Sequence, residues 1–375
     1  MSRPSSGTSP DHHHGHYPRR RASIKIRLDA LSHNLKRVRE FAPNRQIMAV
    51  IKANAYGHGL LAVASHLTGN PASSGEPAEM LAVAMPEEAY ALRESGITSP
   101  IVVLHGFRNL QELETFSRLD ISTTVHQRSQ LDCLLESALG STMDKAIDVW
   151  LKVDTGMHRL GISPEDVDDY FGRLRNCSNV ASVSVMSHFA NSDDVGNSLN
   201  NKQIESFLNV TNDIDIECSM ANSAAIMRLP ASHFEVVRPG IMLYGSSPFA
   251  DVSAAELGLQ SVMQFESFLL DIKQVKAGES IGYGSTYRCE KDMQIGLVAA
   301  GYGDGYPRHA ASGTPVWING RCCDLLGRVS MDSLCIDLDD AKASIGDRVV
   351  LWGEELSVDA VARTSDTIAY ELLCN

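Results

Sequence analysis

Between residues 24 and 245 apolar strand-like runs alternate with amphipathic segments, and the strand-like run recurs eight times. No other feature restricts the fold as much. The runs fall at 47–51, 81–84, 101–104, 121–125, 147–153, 180–187, 214–218 and 234–237. Helix-like stretches at 86–95, 110–119, 127–139, 164–174 and 201–213 separate them. Such alternation predicts an α/β fold with a parallel sheet and helices outside it. Two architectures fit, a (β/α)8 TIM barrel and an open doubly wound sheet. The count of eight favours the barrel, and so does the absence of a G-x-G-x-x-G after the first strand. Asp29 reads as the N-cap of an early helix carrying Leu31, Leu35 and Val38 on one face. Pro86 opens another, with Glu87 and Glu88 at the positive end of its dipole.

Past residue 250 helical spacing gives way to short β-like runs between glycines, at 265–275, 294–299, 314–318, 324–328, 334–338 and 348–352. One helix is expected at 358–363. A length of 375 residues suits two domains rather than one. The expected division is a disordered leader over 1–22, the (β/α)8 barrel over 23–248, and a mainly β domain over 249–375. The leader holds His12, His13, His14 and His16, then three arginines, and no apolar stretch follows to make a secretory signal. Residues 68–79, rich in Gly, Pro and Ser, read as a loop insertion.

A net charge of −13 argues against nucleic acid as a partner, since a phosphate backbone calls for a basic surface. No apolar run of about 18 residues is present, so no membrane span is expected. The eight cysteines form no C-x-x-C pair and read as reduced residues in a cytoplasmic protein without a metal site.

The chemistry concentrates at residues 49–59, Ala-Val-Ile-Lys-Ala-Asn-Ala-Tyr-Gly-His-Gly. An apolar strand ends in Lys52. Catalytic groups of barrels sit at the C-terminal ends of strands. A lysine desolvated there has a lowered pKa, and its neutral amine can form an imine with an aldehyde and later serve as a base. An arbitrary lysine at a strand end more often points into solvent; the full string argues against that here.

This string resembles the pyridoxal 5′-phosphate (PLP) attachment signature of the alanine racemase family. Matching segments follow in order at 152–161, 186–190, 221–225, 237–245, 282–287, 301–308, 329–332 and 369–371. The resemblance implies that Lys52 carries PLP and that the chain interconverts L-alanine and D-alanine, supplying D-alanine for peptidoglycan synthesis. It implies that Arg238 faces the pyridine nitrogen. An arginine only donates, so it leaves that nitrogen unprotonated and weakens the electron sink. Ser223, the amides of Gly240 and Ile241, and the hydroxyls of Tyr56 and Tyr370 match phosphate donors.

Racemisation needs an acid–base group on each face of the α-carbon. Lys52 serves one face, and Tyr283, in the β domain, matches the other. Free tyrosine ionises near about pH 10, so a tyrosine base needs neighbours that favour phenolate. His188 is the matching partner and is expected to contact Arg238. In the family the tyrosine works in the other subunit's site, which implies a homodimer with shared active sites. Met331 and Asp332 match residues that line the substrate site across that interface, and Tyr302 and Tyr287 match residues of the entrance. Arg159 matches a residue that orients Tyr283 or the substrate carboxylate. Lys152 matches a lysine that is carbamylated in many members, where the anion positions that arginine.

Two departures stand out. The family usually continues for several residues beyond the segment matching Tyr370, and the residues before Ile24 have no match. Other candidates read blandly. The glycine-rich string 301–305 lacks the Lys-Ser/Thr ending of a phosphate loop. Asp337, Asp339 and Asp340 lack a calcium-loop pattern and read as a solvated turn. Three other functions stay open at this point: a racemase for another amino acid, a non-catalytic PLP-binding barrel, and a fold-related decarboxylase. The last two fit poorly, since one lacks a β domain and the other needs a catalytic cysteine.

Overall fold

A computed structural model describes residues 21–69, 76–140, 143–212, 215–339 and 341–375. Most of the leader, with its histidines, part of the 68–79 loop, and Asp340 lie outside the described residues.

The first strand, β1 (Ala22–Ile26), does not enter the barrel. It pairs antiparallel with β10 (Met263–Val275), Ala22 opposite Ser267 and Ile26 opposite Met263. In sequence it falls in the segment assigned above to the barrel; in space it is an edge of the other domain's sheet.

The barrel proper closes over eight parallel strands: β2 (Gln46–Val50), β3 (Met80–Val83), β4 (Ile101–Val103), β5 (Ser122–Val125), β6 (Ile147–Lys152), β7 (Val180–Met186), β8 (Cys218–Ser219) and β9 (Val236–Val237). Neighbours follow chain order, and β2 pairs with β9 to close the ring. Every residue of β3 and β4 is buried, as are all but the first of β2 and β5. Strands covered on both faces read as continuous apolar runs rather than alternating ones, which is why the sequence pattern predicts a parallel sheet. Helices cover the outside. In Leu28–Phe41 the buried residues Leu31, Leu35 and Val38 make its inward stripe. Asp29 is not its N-cap. Arg27 holds that position, and Asp29 sits in the first turn, 3.5 Å from the Arg27 guanidinium. A carboxylate there still complements the helix dipole.

The second domain alternates instead. In β14 (Pro315–Ile318) and β16 (Leu334–Asp337) buried and half-buried residues take turns, the pattern of an antiparallel sheet with one wetter face. The long β10 pairs through its first half with β17 (Arg348–Trp352) and through its second half with β13 (Met293–Val298). The order β10-β13-β16-β15-β14-β17, where β15 is Arg321–Leu326, therefore closes on itself. A bulge between Leu269 and Asp271 lets one strand serve both partners. A small hairpin of β11 (Ser280–Ile281) and β12 (Tyr287–Arg288) stands apart and carries residue 283 in its loop. The chain ends in helices Val358–Thr364 and Ala369–Cys374; the sequence pattern predicts the first, not the second. No helix among the described residues is long and apolar enough to cross a membrane.

Candidate active site

A cavity of about 460 Å³ opens at the C-terminal ends of the barrel strands, within the size range of small-molecule sites. Lys52 follows directly on β2 and lines it. Burial, and then the charge of Arg159, pushes the Lys52 amine below the ordinary lysine value. The backbone then does something unusual. Ala53, Asn54, Ala55 and Tyr56 all take positive φ, from 52° to 55°, followed by Gly57 at 77°. This is one turn of left-handed helix. It costs about 1–2 kcal/mol per non-glycine residue, so local bonds must hold it. Ala55 N donates to Ile51 O at 2.8 Å, and Gly57 N to Ala53 O at 3.0 Å. Asn54 Oδ1 accepts from Leu60 N at 2.8 Å. His58 Nδ1 lies 2.7 Å from Tyr56 O. A carbonyl only accepts, so His58 carries its proton on Nδ1, and burial lowers its pKa to about 4.

The turn delivers Tyr56 to the cavity. Its ring stacks on Tyr244, with centroids 4.6 Å apart, and lies 6.0 Å from Tyr370. A Cβ built on Gly240 would sit 2.5 Å from the Tyr56 hydroxyl oxygen, so only glycine leaves that hydroxyl its place. Ser223 Oγ accepts from the amides of Gly240 at 2.9 Å and Met242 at 3.3 Å. Ser223 opens the helix Ser223–Arg228, and Asn222 caps it through its side chain. Ile241 and Tyr370 complete this side of the wall. Hydroxyls and backbone amides thus meet beside a residue without a side chain, as a phosphate requires.

Opposite stands Arg238, 5% exposed. It donates to Ser219 Oγ at 2.6 Å and to the Ser187 carbonyl, and reaches His188 Nδ1 at 3.3 Å. No carboxylate is among these partners, and burial lowers its pKa to about 10. Burial and the Arg238 charge also hold His188 well below the usual histidine range. Lys152, at the end of β6, is 7% exposed. Its pKa falls to about 7 through burial, then Arg238, Arg159 and Lys52. Arg159 belongs to a loop pinned by Asp154. One oxygen of that carboxylate accepts from the amides of Gly156, Met157 and His158, each at 3.0 Å. Burial works against the Asp154 charge, yet these amides hold its pKa below the ordinary value.

The donor set fits PLP: a depressed lysine amine, a cationic donor with no acidic partner, and a cluster of hydroxyls and amides. Lys52, Tyr56, Lys152, Arg159, His188, Ser223, Arg238, Gly240, Ile241 and Tyr370 all line the one cavity. Of the residues expected from the β domain, Tyr370 lines the cavity, and Tyr283, Tyr302, Met331 and Asp332 do not. Tyr283 is 70% exposed and Met331 60%. Asp332 is also exposed, and its carboxylate lies 3.9 Å from Arg21. Tyr302 and Met331 are brought together, since Tyr302 N donates to Ser330 O at 3.0 Å and Gly303 N to Met331 O at 2.7 Å. Tyr283 sits between Gly282 and Gly284, near the Arg328 guanidinium. These side chains form an exposed face, not part of the cavity within one chain.

Sequence reasoning gives Asp154 and Gln203 no role and Glu88 only a place at the helix dipole. Gln203 donates to the His188 carbonyl at 3.0 Å from the helix Ser198–Thr211. Asp154 carried a readable signal, an Asp followed by Thr-Gly, the sequence of a side-chain-capped turn. Gln203 carried none, because its partners lie in the loops after β6 and β7, distant in sequence. Asp337 and Asp339 match the expected turn: Asp339 N donates to Asp337 Oδ1 at 2.9 Å, and Lys291 pairs with Asp339 at 2.7 Å. Among the described residues no group of His, Cys, Asp and Glu can hold a metal ion.

The chain matches known proteins along nearly its whole length. The family described as alanine racemase, N-terminal domain, matches residues 26–248, and alanine racemase, C-terminal domain, matches 262–375. An alanine racemase of Vibrio cholerae is 47% identical over 354 residues, covering 94% of this chain and 95% of its own. The biosynthetic alanine racemase of Pseudomonas aeruginosa superposes with a TM-score of 0.88 at 42% identity, covering 95% of this chain and 96% of its own. That of Bartonella henselae, described with covalently bound pyridoxal phosphate, does so at 0.82 and 27% identity, covering 95% and 97%. Likeness that runs through both domains at close to half identity leaves one placement: this chain belongs to the alanine racemase family of PLP-dependent isomerases.

Proposed function

We infer that this chain interconverts L-alanine and D-alanine, with Lys52 and Tyr283 as its two acid–base groups. The observation that carries the reading is the depressed, cavity-lining Lys52 facing a buried Arg238 that has no carboxylate among its partners. Lys52 is the residue that holds PLP. Ser223, Tyr56, Tyr370 and the amides of Gly240 and Ile241 hold the phosphate, and Arg238, steadied by His188, donates to the ring nitrogen. When bound, PLP supplies an electron sink that acidifies the substrate's α-proton. The neutral Lys52 Nζ takes or returns that proton on one face. The Tyr283 hydroxyl serves the other.

The exposed Tyr283 supports a site completed by a second chain, so the working unit is a homodimer: Lys52 acts with Tyr283 of the partner subunit. Met331, Asp332 and Tyr302 belong to the same contribution and narrow the substrate site, favouring alanine over longer side chains. Arg159 orients the substrate carboxylate or the tyrosine. Lys152, whose pKa of about 7 leaves a large unprotonated fraction at neutral pH, is suited to carbamylation, because only an unprotonated amine attacks carbon dioxide; the anion formed would relieve its crowding by Arg159 and Arg238. The chain divides into a leader over 1–22, a barrel segment over 23–248 whose first strand joins the other sheet, and a β domain over 249–375. All eight cysteines are free, which fits a cytoplasmic enzyme, and its D-alanine would serve peptidoglycan synthesis.

The test is turnover of purified protein on a panel of amino acids, read by chiral chromatography. L- and D-alanine are expected to interconvert at similar limiting rates, with serine and the basic amino acids far slower. If lysine or arginine outruns alanine, the specificity assignment fails.

A further inference from the structure

One charged side chain touches the Lys52 segment from outside the machinery described so far. Glu88 lies in the first turn of the helix Pro86–Glu94, which follows β3. Its Oε1 accepts from the amide of Ala53, the residue after Lys52, at 2.7 Å. Its Oε2 accepts from Ala84 N at 2.9 Å and Met85 N at 3.2 Å. The ladder between β2 and β3 runs out at Ile51, whose amide donates to Ala82 O at 2.9 Å. Beyond that point the backbone turns left-handed and no strand carbonyl can follow it. The Glu88 carboxylate takes over from the ladder and binds both strand ends at once.

We propose that Glu88 is a positioning residue for Lys52: it anchors the left-handed turn that aims the lysine into the cavity, and among the described residues it holds the carboxylate charge that acts on the amine there. The second half of this statement follows from the groups around the amine. Arg159, from the loop after β6, and Arg238, after β9, disfavour the ammonium form; Glu88 favours it, as would the Cys374 thiolate of the last helix, a form that burial disfavours. Lys152 faces the same group. Glu88 therefore keeps the amine from being driven further down, so that Lys52 can still hold a proton during turnover as well as release one. A plain reading is also available, that Glu88 only caps its own helix by accepting from Met85 N. Capping alone would affect stability and leave the amine untouched.

The proposal rests on the assignment of Lys52 as the PLP lysine, and its test separates the two. The full chain is stripped of cofactor with hydroxylamine. PLP is then added from about pH 6 to about pH 10, and growth of the visible band of bound cofactor is followed. The pH of half-maximal rate reports the Lys52 amine. In Glu88→Gln, which keeps an acceptor for Ala53 N but loses the charge, the half-point is expected to fall by roughly 0.5–1 pH unit. Glu88→Asp, which keeps the charge but shortens its reach, is expected to fall between. Thermal unfolding is measured alongside. A lowered midpoint of unfolding with an unmoved half-point means that Glu88 is a helix cap only, and overturns the proposal. Should Glu88→Gln fail to fold, Glu88→Asp alone decides on the same criterion. The band appearing in Lys52→Ala would instead refute the Lys52 assignment, whatever Glu88 does.

Discussion

The two domains contribute to the site in opposite ways. The barrel supplies residues that are buried, crowded by one another's charge and held by several bonds each. Arg238 and Lys152 are both under a tenth exposed, and their pKa values fall to about 10 and about 7. The β domain supplies Tyr283 and Met331, open to solvent and far less constrained. A preorganised wall suits a cofactor that stays. An exposed tyrosine and methionine suit a surface that becomes a site only against another chain, since such side chains left bare are the mark of an interface. On the proposed reading, the difference separates cofactor retention, chiefly a property of the barrel, from two-faced proton transfer, a property of the pair.

The largest expected effects cut along that line. Lys52→Ala should lose both the visible band of bound PLP and all measurable racemisation. Tyr283→Phe should keep the band and lose activity by a factor of about 10²–10⁴, the usual worth of a positioned acid–base group. Absorbance and turnover measured on the same preparations check both; a Tyr283→Phe protein without the band would break the comparison. A sharper form mixes the two inactive variants after reversible unfolding. If each site draws Lys52 from one chain and Tyr283 from the other, a mixed dimer carries one intact site. Random pairing then restores roughly a quarter of wild-type activity. No recovery would place both groups in one chain.

How much of this could be read from sequence also divides by domain. The barrel was legible because strands buried on both faces, such as 47–51 and 101–103, must be apolar throughout, and because a lysine ending such a strand has few bland explanations. Its weak points were short range. Asp29 has the chemistry of a cap, yet the chain enters its helix at Arg27, two residues earlier. The left-handed turn after Lys52 was invisible, since Ala53, Ala55 and Tyr56 are not residues whose own preferences call for positive φ. Glu88, Asn54 and His58 bond to that turn, and of its non-glycine residues only Asn54 has a preference for positive φ that sequence can report. In the β domain, Tyr283 could be singled out only by likeness to a family, because the role proposed for it depends on a second chain's surface. The membership of β1 in the second sheet was equally hidden, as pairing partners 241 residues apart leave no local trace.

A smaller effect is expected at Gly240. The Cβ of Gly240→Ala would meet the Tyr56 hydroxyl at 2.5 Å and force one of the two to move. Overpacking of this kind costs about 1–3 kcal/mol, here taken from the phosphate pocket, so PLP affinity should fall by roughly 10–100-fold with the thermal stability of the cofactor-free chain less affected. Fluorescence titration of cofactor into the stripped protein measures it. In a Tyr56→Phe background, which removes the clashing hydroxyl from both partners of the comparison, Gly240→Ala should cost less than it does beside an intact Tyr56, and an undiminished cost would mean that the glycine is needed for something other than room beside that hydroxyl.

The smallest effect compares one lysine from each domain. Lys152 has a folded-state pKa of about 7 against 10.5 for an ordinary lysine. Between those values the unfolded chain holds a proton that the folded chain has released. Stability should therefore rise with pH across that window, by at most about 1.4 kcal/mol per pH unit from this group. Below about pH 7 both states are protonated, and the slope from Lys152 vanishes. Lys276, at the end of β10, is exposed beside Asp292, and its pKa is raised instead. Urea unfolding in carbon-dioxide-free buffer from about pH 7 to about pH 9 tests the contrast. Lys152→Met should flatten the rise and Lys276→Met should leave it in place. Added bicarbonate should extend the rise below about pH 7 if Lys152 is carbamylated, because the folded carbamate holds no ammonium proton while the unfolded lysine still does. A wild-type slope unchanged by Lys152→Met would mean that the barrel lysine keeps its proton in the folded chain, and the electrostatic distinction between the two domains would then rest on Lys52 and Arg238 alone.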